Sequence, residues 1–211
     1  MTVKIQVYSD FVCPFCFIGE EPLRQAADGR DVEIEFMPFE LRPYPMEGMS
    51  PKSDYIQQAY KQSVQPLAKR FGVDMELPMD LDPVPSTHLA HQGYQFAREE
   101  GEGRAYVDAV FKAYWQEGQN IGDMNVLTGI ARELGLNEAA FQDAITGGTY
   151  VQDHKEALGR ARAEEIQAVP TFIIGNQRLQ GLHSKEAIEL AIDEQSNAGI
   201  KPGESCGPEG C

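Results

Sequence analysis

The chain has 211 residues, enough to bury a full core without staples, as one domain or as one domain carrying a large insertion. Hydrophobic residues make up 42% of it, an ordinary globular share that excludes a disordered chain. The net charge of -15 offers no basic surface, so neither nucleic acid nor an anionic membrane is an expected partner.

The first segment, MTVKIQVYSD, alternates Val3, Ile5 and Val7 with Lys4, Gln6 and Tyr8, the period-2 pattern of a strand. No charged n-region, apolar h-region or cleavage site precedes it, and no later apolar run reaches membrane-spanning length. A cytoplasmic location is the expectation. In a reducing compartment cysteine pairs are more often catalytic, redox-sensing or metal-binding than permanent staples.

A short loop leads to Cys13, after which Pro14 favours a first helical turn. Leu23, Ala26 and Ala27 give that helix an apolar stripe, and Asp28–Gly29 ends it. Val32, Ile34 and Phe36 predict a second strand, and the proline-dense stretch 37–51 a loop. From about residue 51 to 165 the pattern is helical and rich in caps, with Ser53 or Asp54 as an N-cap, Gly72 as a stop and Pro66 as a kink or break. Residues 168–175 and 177–181 predict two short strands joined at Gly175–Asn176, followed by a helix capped by Ser184. The last segment, AGIKPGESCGPEGC, has the composition of a tail.

Strand–helix–strand, a long helical block, then strand–strand–helix is the order of an α/β unit interrupted by an insertion. The strands on either side of the block need each other to form one sheet. The expected division is 1–50 with 166–197 as the α/β domain, 51–165 as the inserted helical domain, and 198–211 as the tail.

Cys13–Pro14–Phe15–Cys16 reads as a redox centre, as half of a metal site, or as an inert pair of buried thiols, and the proline between the cysteines at a strand-to-helix junction favours the first. Residues i and i+3 on a helical turn lie near the Cα separation that a disulfide requires, roughly 4.4–6.8 Å, so the pair can open and close with little backbone movement. At a helix N-terminus, unpaired N–H groups and the helix dipole favour a thiolate at Cys13. Pro14 fixes the turn without losing a needed hydrogen bond. Cys16, one turn further in, is the expected resolving thiol. Zinc binding by this pair needs two more ligands; Cys206 and Cys211 are available, but their four-residue spacer and the helix-start position of the first pair match zinc-site geometry poorly. No metal ligand is assigned.

Pro170 opens a buried-looking strand in AVPTFII, where its missing N–H is a liability. A cis Val169–Pro170 bond makes sense of it, placing Pro170 beside Cys13 and leaving the Val169 backbone free to pair with an extended peptide.

Together SDFVCPFCFIG, PFELRPYPMEG, the helical insert with STHLAH, IARELGLNEAAF and VPTFIIG resemble the DsbA family of thioredoxin-fold proteins, in its cytoplasmic FrnE-like branch, over residues 3 to about 195. The resemblance implies dithiol–disulfide exchange with Cys13 as nucleophile, Cys16 as resolver and Pro170 as the cis-proline. It implies protein or peptide disulfides as substrates, no cofactor beyond the cysteine pair, glutathione as a possible exchange partner, and a monomer or homodimer. A related architecture belongs to glutathione-dependent transferases and isomerases of the kappa and 2-hydroxychromene-2-carboxylate type; retention of Cys16 argues against that alternative. A redox-switched zinc-binding holdase is the non-enzymatic alternative.

Further expectations concern neighbours of the pair. Cys206 and Cys211, separated by a spacer able to turn back, form an auxiliary dithiol that exchanges with Cys13–Cys16, or else a tail staple without a relay role. Phe15 is expected at the surface as an apolar contact for substrate, and Phe11 and Phe17 in the core, although Phe11 and His91 also qualify for a substrate groove. His88 and His91 face the active site or pack as satisfied core histidines; Asp10 tunes the cysteines or caps the turn. Trp115 is a core residue.

Overall fold

A computed structural model describes residues 2–198. Cys206 and Cys211 lie outside the described residues. Four strands form one sheet in the order β2-β1-β3-β4. Strand β1 (Val3–Ser9) runs parallel to β2 (Val32–Pro38), with Val3 opposite Val32 and Val7 opposite Phe36. It runs antiparallel to β3 (Thr171–Ile174), which forms a hairpin with β4 (Gln177–Gln180). The hairpin turn falls at Gly175–Asn176, where Gly175 takes the left-handed conformation (φ 59°) that a residue with a Cβ avoids. This order and connectivity are those of the thioredoxin fold.

The parallel β1–β2 pair requires a crossover, and α1 (Pro14–Ala27) supplies it. Alternation along β1 sends Val3, Ile5 and Val7 to one face, where they meet Leu23 and Ala26 of α1, Phe172 and Ile174 of β3, and Ile188, Ala191 and Ile192 of α9 (Lys185–Ala198). Ser184 starts α9, its hydroxyl accepting from the Ala187 N–H at 3.4 Å.

The insertion begins with α2 (Asp54–Ala59), for which Ser53 is the N-cap. A π turn over Tyr60–Val64 leads into α3 (Gln65–Phe71). The irregularity sits immediately before Pro66, whose ring and missing N–H prevent an ordinary i→i−4 bond at that point. Gly72 ends α3 in the left-handed conformation (φ 69°). Then come α4 (His88–Glu99), α5 (Gly103–Trp115), α6 (Met124–Glu133), α7 (Glu138–Thr146) and α8 (Val151–Ala163).

These helices do not stand apart from the sheet. Tyr8, Phe11, Phe36 and Met37 share one core with Tyr94, Phe111, Trp115 and Phe141 of the insertion. The Tyr94 hydroxyl accepts from the Phe36 N–H at 3.0 Å, satisfying a donor on the outer edge of β2. Among the described residues, no helix is long and apolar enough to cross a membrane.

Candidate active site

Helix α1 begins where the loop after β1 ends, and Cys13 is its N-cap residue in extended conformation (φ -83°, ψ 115°). The Cys13 N–H donates to the Asp10 carbonyl at 3.0 Å, while the Cys13 carbonyl accepts from Cys16 N–H at 3.1 Å and Phe17 N–H at 3.2 Å. That turn brings the two side chains together. The Cys13 and Cys16 thiols are unbridged and within hydrogen-bond reach of each other.

Both cysteines are buried, Cys13 retaining 3% exposure and Cys16 1%. Burial pushes the Cys16 thiol well above its ordinary range, and the hydrogen bond and charge of the neighbouring Cys13 sulfur add to the rise. Contacts with Ser9 and the Asp10 backbone act in the opposite direction and are outweighed. These influences together favour the protonated thiol at Cys16.

The Val169–Pro170 bond is cis. The Cys13 thiol donates toward the Val169 carbonyl at 3.7 Å, joining the start of α1 to the residue preceding Pro170 across 156 positions of sequence. The Pro170 carbonyl accepts from Gly181 N–H at 2.7 Å, and the Thr171 hydroxyl donates to the Ala168 carbonyl at 2.7 Å, fixing the segment on both sides. Gly19 explains how closely α1 approaches it: a Cβ there would stand 3.4 Å from both Pro170 Cγ and Leu182 Cδ2. Pro14 and Phe15 occupy the first turn between the cysteines, each half-buried.

Several neighbours sit differently from the sequence expectation. Phe15 is only partly exposed and packs against the main core. Phe17 is likewise half-buried, its ring parallel to that of Trp115 with centroids 6.3 Å apart. Phe11 and His91 line no surface groove, since both are 0% exposed. The Phe11 ring stacks on Phe36 (4.9 Å) and meets His91 at a tilt (4.9 Å), so the apolar pull of the shared core outweighs any role at the surface. Trp115 is buried, as a core residue should be, and its indole N–H also reaches the Phe11 carbonyl.

Asp10 neither caps α1 through its side chain nor faces solvent. Its Oδ2 accepts from Leu41 N–H at 2.7 Å, tying the loop after β2 to the loop before Cys13. Oδ1 lies 3.5 Å from His91 Nε2. Beyond His91 the histidine layer continues into a cluster that the sequence did not disclose. Glu40 Oε1 meets His154 Nε2 at 2.6 Å and His88 Nδ1 at 2.9 Å, while its Oε2 accepts from Tyr44 N–H at 2.8 Å. Burial alone would raise the Glu40 carboxyl; these hydrogen bonds prevail and hold it well below the usual carboxylate range. For His154 burial dominates and lowers its affinity for a second proton despite the bond to Glu40. The one available signal was scarcity: three of the four histidines in the chain are in the insertion, and all three meet here.

The chain is 45% identical over 197 residues to the protein YwbO of Bacillus subtilis (strain 168), covering 92% of this chain and 98% of that one. It is 22% identical over 198 residues to a 2-hydroxychromene-2-carboxylate isomerase of Pseudomonas putida, covering 89% and 93%. Among solved structures, a probable DsbA oxidoreductase, SCO1869 from Streptomyces coelicolor, superimposes with a TM-score of 0.79 at 21% identity, covering 99% of this chain and 98% of that one. The cytosolic disulfide reductase DsbM from Pseudomonas aeruginosa, solved with GSH, superimposes with a TM-score of 0.68 at 16% identity, covering 93% and 97%. The family model for the DSBA-like thioredoxin domain matches residues 4–193, spanning the dithiol turn, the helical insertion and the Pro170 segment alike. With its cysteine pair at the head of α1 and a match that covers most of its length, the chain belongs to the DSBA-like thioredoxin domain family.

Proposed function

We propose that the chain is a thiol–disulfide oxidoreductase acting on disulfides of proteins or peptides. The observation that carries this reading is the approach of Cys13 Sγ to the Val169 carbonyl, 3.7 Å away beside cis-Pro170, with Cys16 behind it on the same helical turn. Cys13 as thiolate attacks one sulfur of a substrate disulfide and the other leaves as a thiolate, which takes up a proton. The Cys16 thiol then gives up its proton and attacks the Cys13 sulfur of the mixed disulfide, releasing the second substrate thiol. The substrate gains two electrons and two protons, and the enzyme ends as a Cys13–Cys16 disulfide. Run backwards, the same steps oxidise a dithiol.

The division of labour follows from the two environments. Cys13 stands at the helix N-terminus, where developing negative charge on sulfur is favoured. Cys16 is held as a thiol until a mixed disulfide forms beside it. Pro170 has no N–H to compete for an incoming chain, and the backbone of Val169, two residues before β3, is the edge against which an extended peptide docks. Pro14 and Phe15 shape the turn that the substrate meets. Glutathione is the proposed small-thiol partner that returns the pair to its starting state, and the cytoplasm the proposed location; the likeness to cytosolic DsbM with GSH supports both. Cys206 and Cys211 are proposed as an auxiliary dithiol that exchanges with the pair.

One observation favours a second reading. Likeness to 2-hydroxychromene-2-carboxylate isomerases extends over nearly the whole chain, so a glutathione-dependent isomerase is the alternative. An assay of insulin-disulfide reduction with glutathione as reductant separates the two. Loss of turnover in both Cys13→Ser and Cys16→Ala is the expected result. Persistence in Cys13→Ser overturns the proposal, and isomerase activity indifferent to Cys16→Ala establishes the alternative.

A further inference from the structure

We infer that Glu40, His88 and His154 form a binding site for one divalent transition-metal ion of the Zn2+ class, separate from the cysteine pair. This goes beyond the dithiol chemistry and does not depend on it. Sequence reading assigned no metal ligand, because the three residues come from the loop after β2, the first turn of α4 and the interior of α8, with no spacing to connect them.

Folding brings His88 Nδ1 and His154 Nε2 onto the same oxygen, Glu40 Oε1, and one ligand atom from each residue lies within 4.8 Å of the others. Two imidazole nitrogens and a carboxylate oxygen are a donor set used by zinc sites that keep a further coordination position open. No thiolate belongs to it, which sets the site apart from the cysteine chemistry next door.

The partners of Glu40 are also compatible with a cation. Glu40 is 6% exposed, and the partners around its carboxylate are two imidazoles and a backbone N–H, with no lysine or arginine bonded to it among the described residues. A buried carboxylate whose side-chain partners are two imidazoles presents three donors that suit a divalent cation. An M2+ ion binds there by displacing the protons now shared between Glu40 and the two rings.

A separate observation marks the surroundings as built for more than one hydrogen-bonded triad. His91 is 0% exposed, its Nδ1 has no hydrogen-bond partner among the described residues, its Nε2 faces Asp10 Oδ1 at 3.5 Å, and its ring lies nearly parallel to that of His154 with centroids 5.6 Å apart. His154 Nδ1 has no partner either. Buried imidazole nitrogens left unsatisfied are costly, and His91 sets a further polar ring beside one ligand of the proposed ion. The Tyr44 N–H on Glu40 Oε2 is the outer-sphere bond that orients the carboxylate. Entry is from the side of His88, whose side chain is 20% exposed beneath the ring of Tyr44, 5.0 Å away.

The test is a titration of chelator-treated full-length chain with Co2+ and separately with Zn2+, followed by absorption and calorimetry. It is run on the reduced wild type and on a chain with Cys13, Cys16, Cys206 and Cys211 all replaced by Ser. The expected result is one ion per chain in both, a cobalt spectrum free of sulfur charge-transfer bands in the Ser-substituted chain, and binding that fades on acidification. Glu40→Gln and His154→Gln should each weaken binding by more than about tenfold, at least the penalty of losing an outer-sphere partner. His88→Gln, at the half-buried position, should do the same with an unchanged far-ultraviolet dichroism spectrum. Failure of the wild type to bind one ion, or equal affinity in a folded His88→Gln chain, overturns the site.

Discussion

Trp115, the last residue of α5, donates its indole N–H to the backbone carbonyl of Phe11 across 2.9 Å. The bond is buried and spans 104 positions of sequence. Phe11 lies two residues before Cys13, so the end of an insertion helix holds the loop from which the reactive turn departs. Trp115→Phe deletes the donor and leaves a buried carbonyl without a partner, a loss of about 1–3 kcal/mol. Urea unfolding should show the midpoint shift, and the rate of Cys13 alkylation in the folded variant should rise as the loop loosens. A variant matching the wild type in both respects would show that the bond does not position the loop.

The unequal environments of the two thiols have a direct chemical readout. Reduced protein treated with iodoacetamide across a pH series should be modified at Cys13 before Cys16, because only the thiolate reacts and burial holds Cys16 as the thiol. Raised by burial and by its neighbour, Cys16 should label only at higher pH or after unfolding. Peptide mass spectrometry across the pH series settles the order, and preferential labelling of Cys16 would reverse the assigned roles.

Removing the resolving thiol should freeze exchange at its midpoint. In Cys16→Ser the bond from Cys13 to substrate has no intramolecular attacker, so a mixed disulfide should accumulate that reductant cleaves. Intact-mass analysis after incubation with glutathione disulfide should show one adduct on Cys13, and Cys13→Ser none at Cys16. Turnover of the Cys16→Ser chain at wild-type rate would remove the need for a resolving step.

Helices α4 and α5 meet at Gly93, where a Cβ would fall 2.1 Å from the Tyr106 hydroxyl oxygen and 2.9 Å from Phe141 Cζ. Tyr106 and Phe141 are fully buried and cannot swing aside. Gly93→Ala should cost about 1–3 kcal/mol of stability by overpacking, lowering the melting midpoint by roughly 2–12 °C for a chain of this size. Calorimetry on the purified variant is the measurement, and an unchanged midpoint would mean that the two helices separate easily.

How much of this was legible beforehand depended on whether the signal was local. Alternation at Val3, Ile5 and Val7 and the start of α1 at Pro14 are written in consecutive residues, and each element formed where its pattern lies. A proline at the mouth of an apolar strand was enough to single out Pro170, because a missing N–H is visible in the sequence. The burial of Phe11 and His91 was harder to foresee, since it depends on Phe36 and His154, which arrive from distant segments. Glu40 was hidden for the same reason. It lies in a proline-dense stretch that reads as an exposed loop, yet only folding reveals that two rings from α4 and α8 enclose its carboxylate.

The shared aromatic core of Tyr8, Phe11 and Phe36 with Tyr94, Phe111 and Trp115 also decides what this architecture permits as a module. Excising residues 51–165 would uncover one side of β1 and β2 and expose rings to water, so the shortened chain should precipitate where the parent stays in solution. Transplanting specificity between relatives therefore means moving the sheet's underside and its helical cover as a matched set.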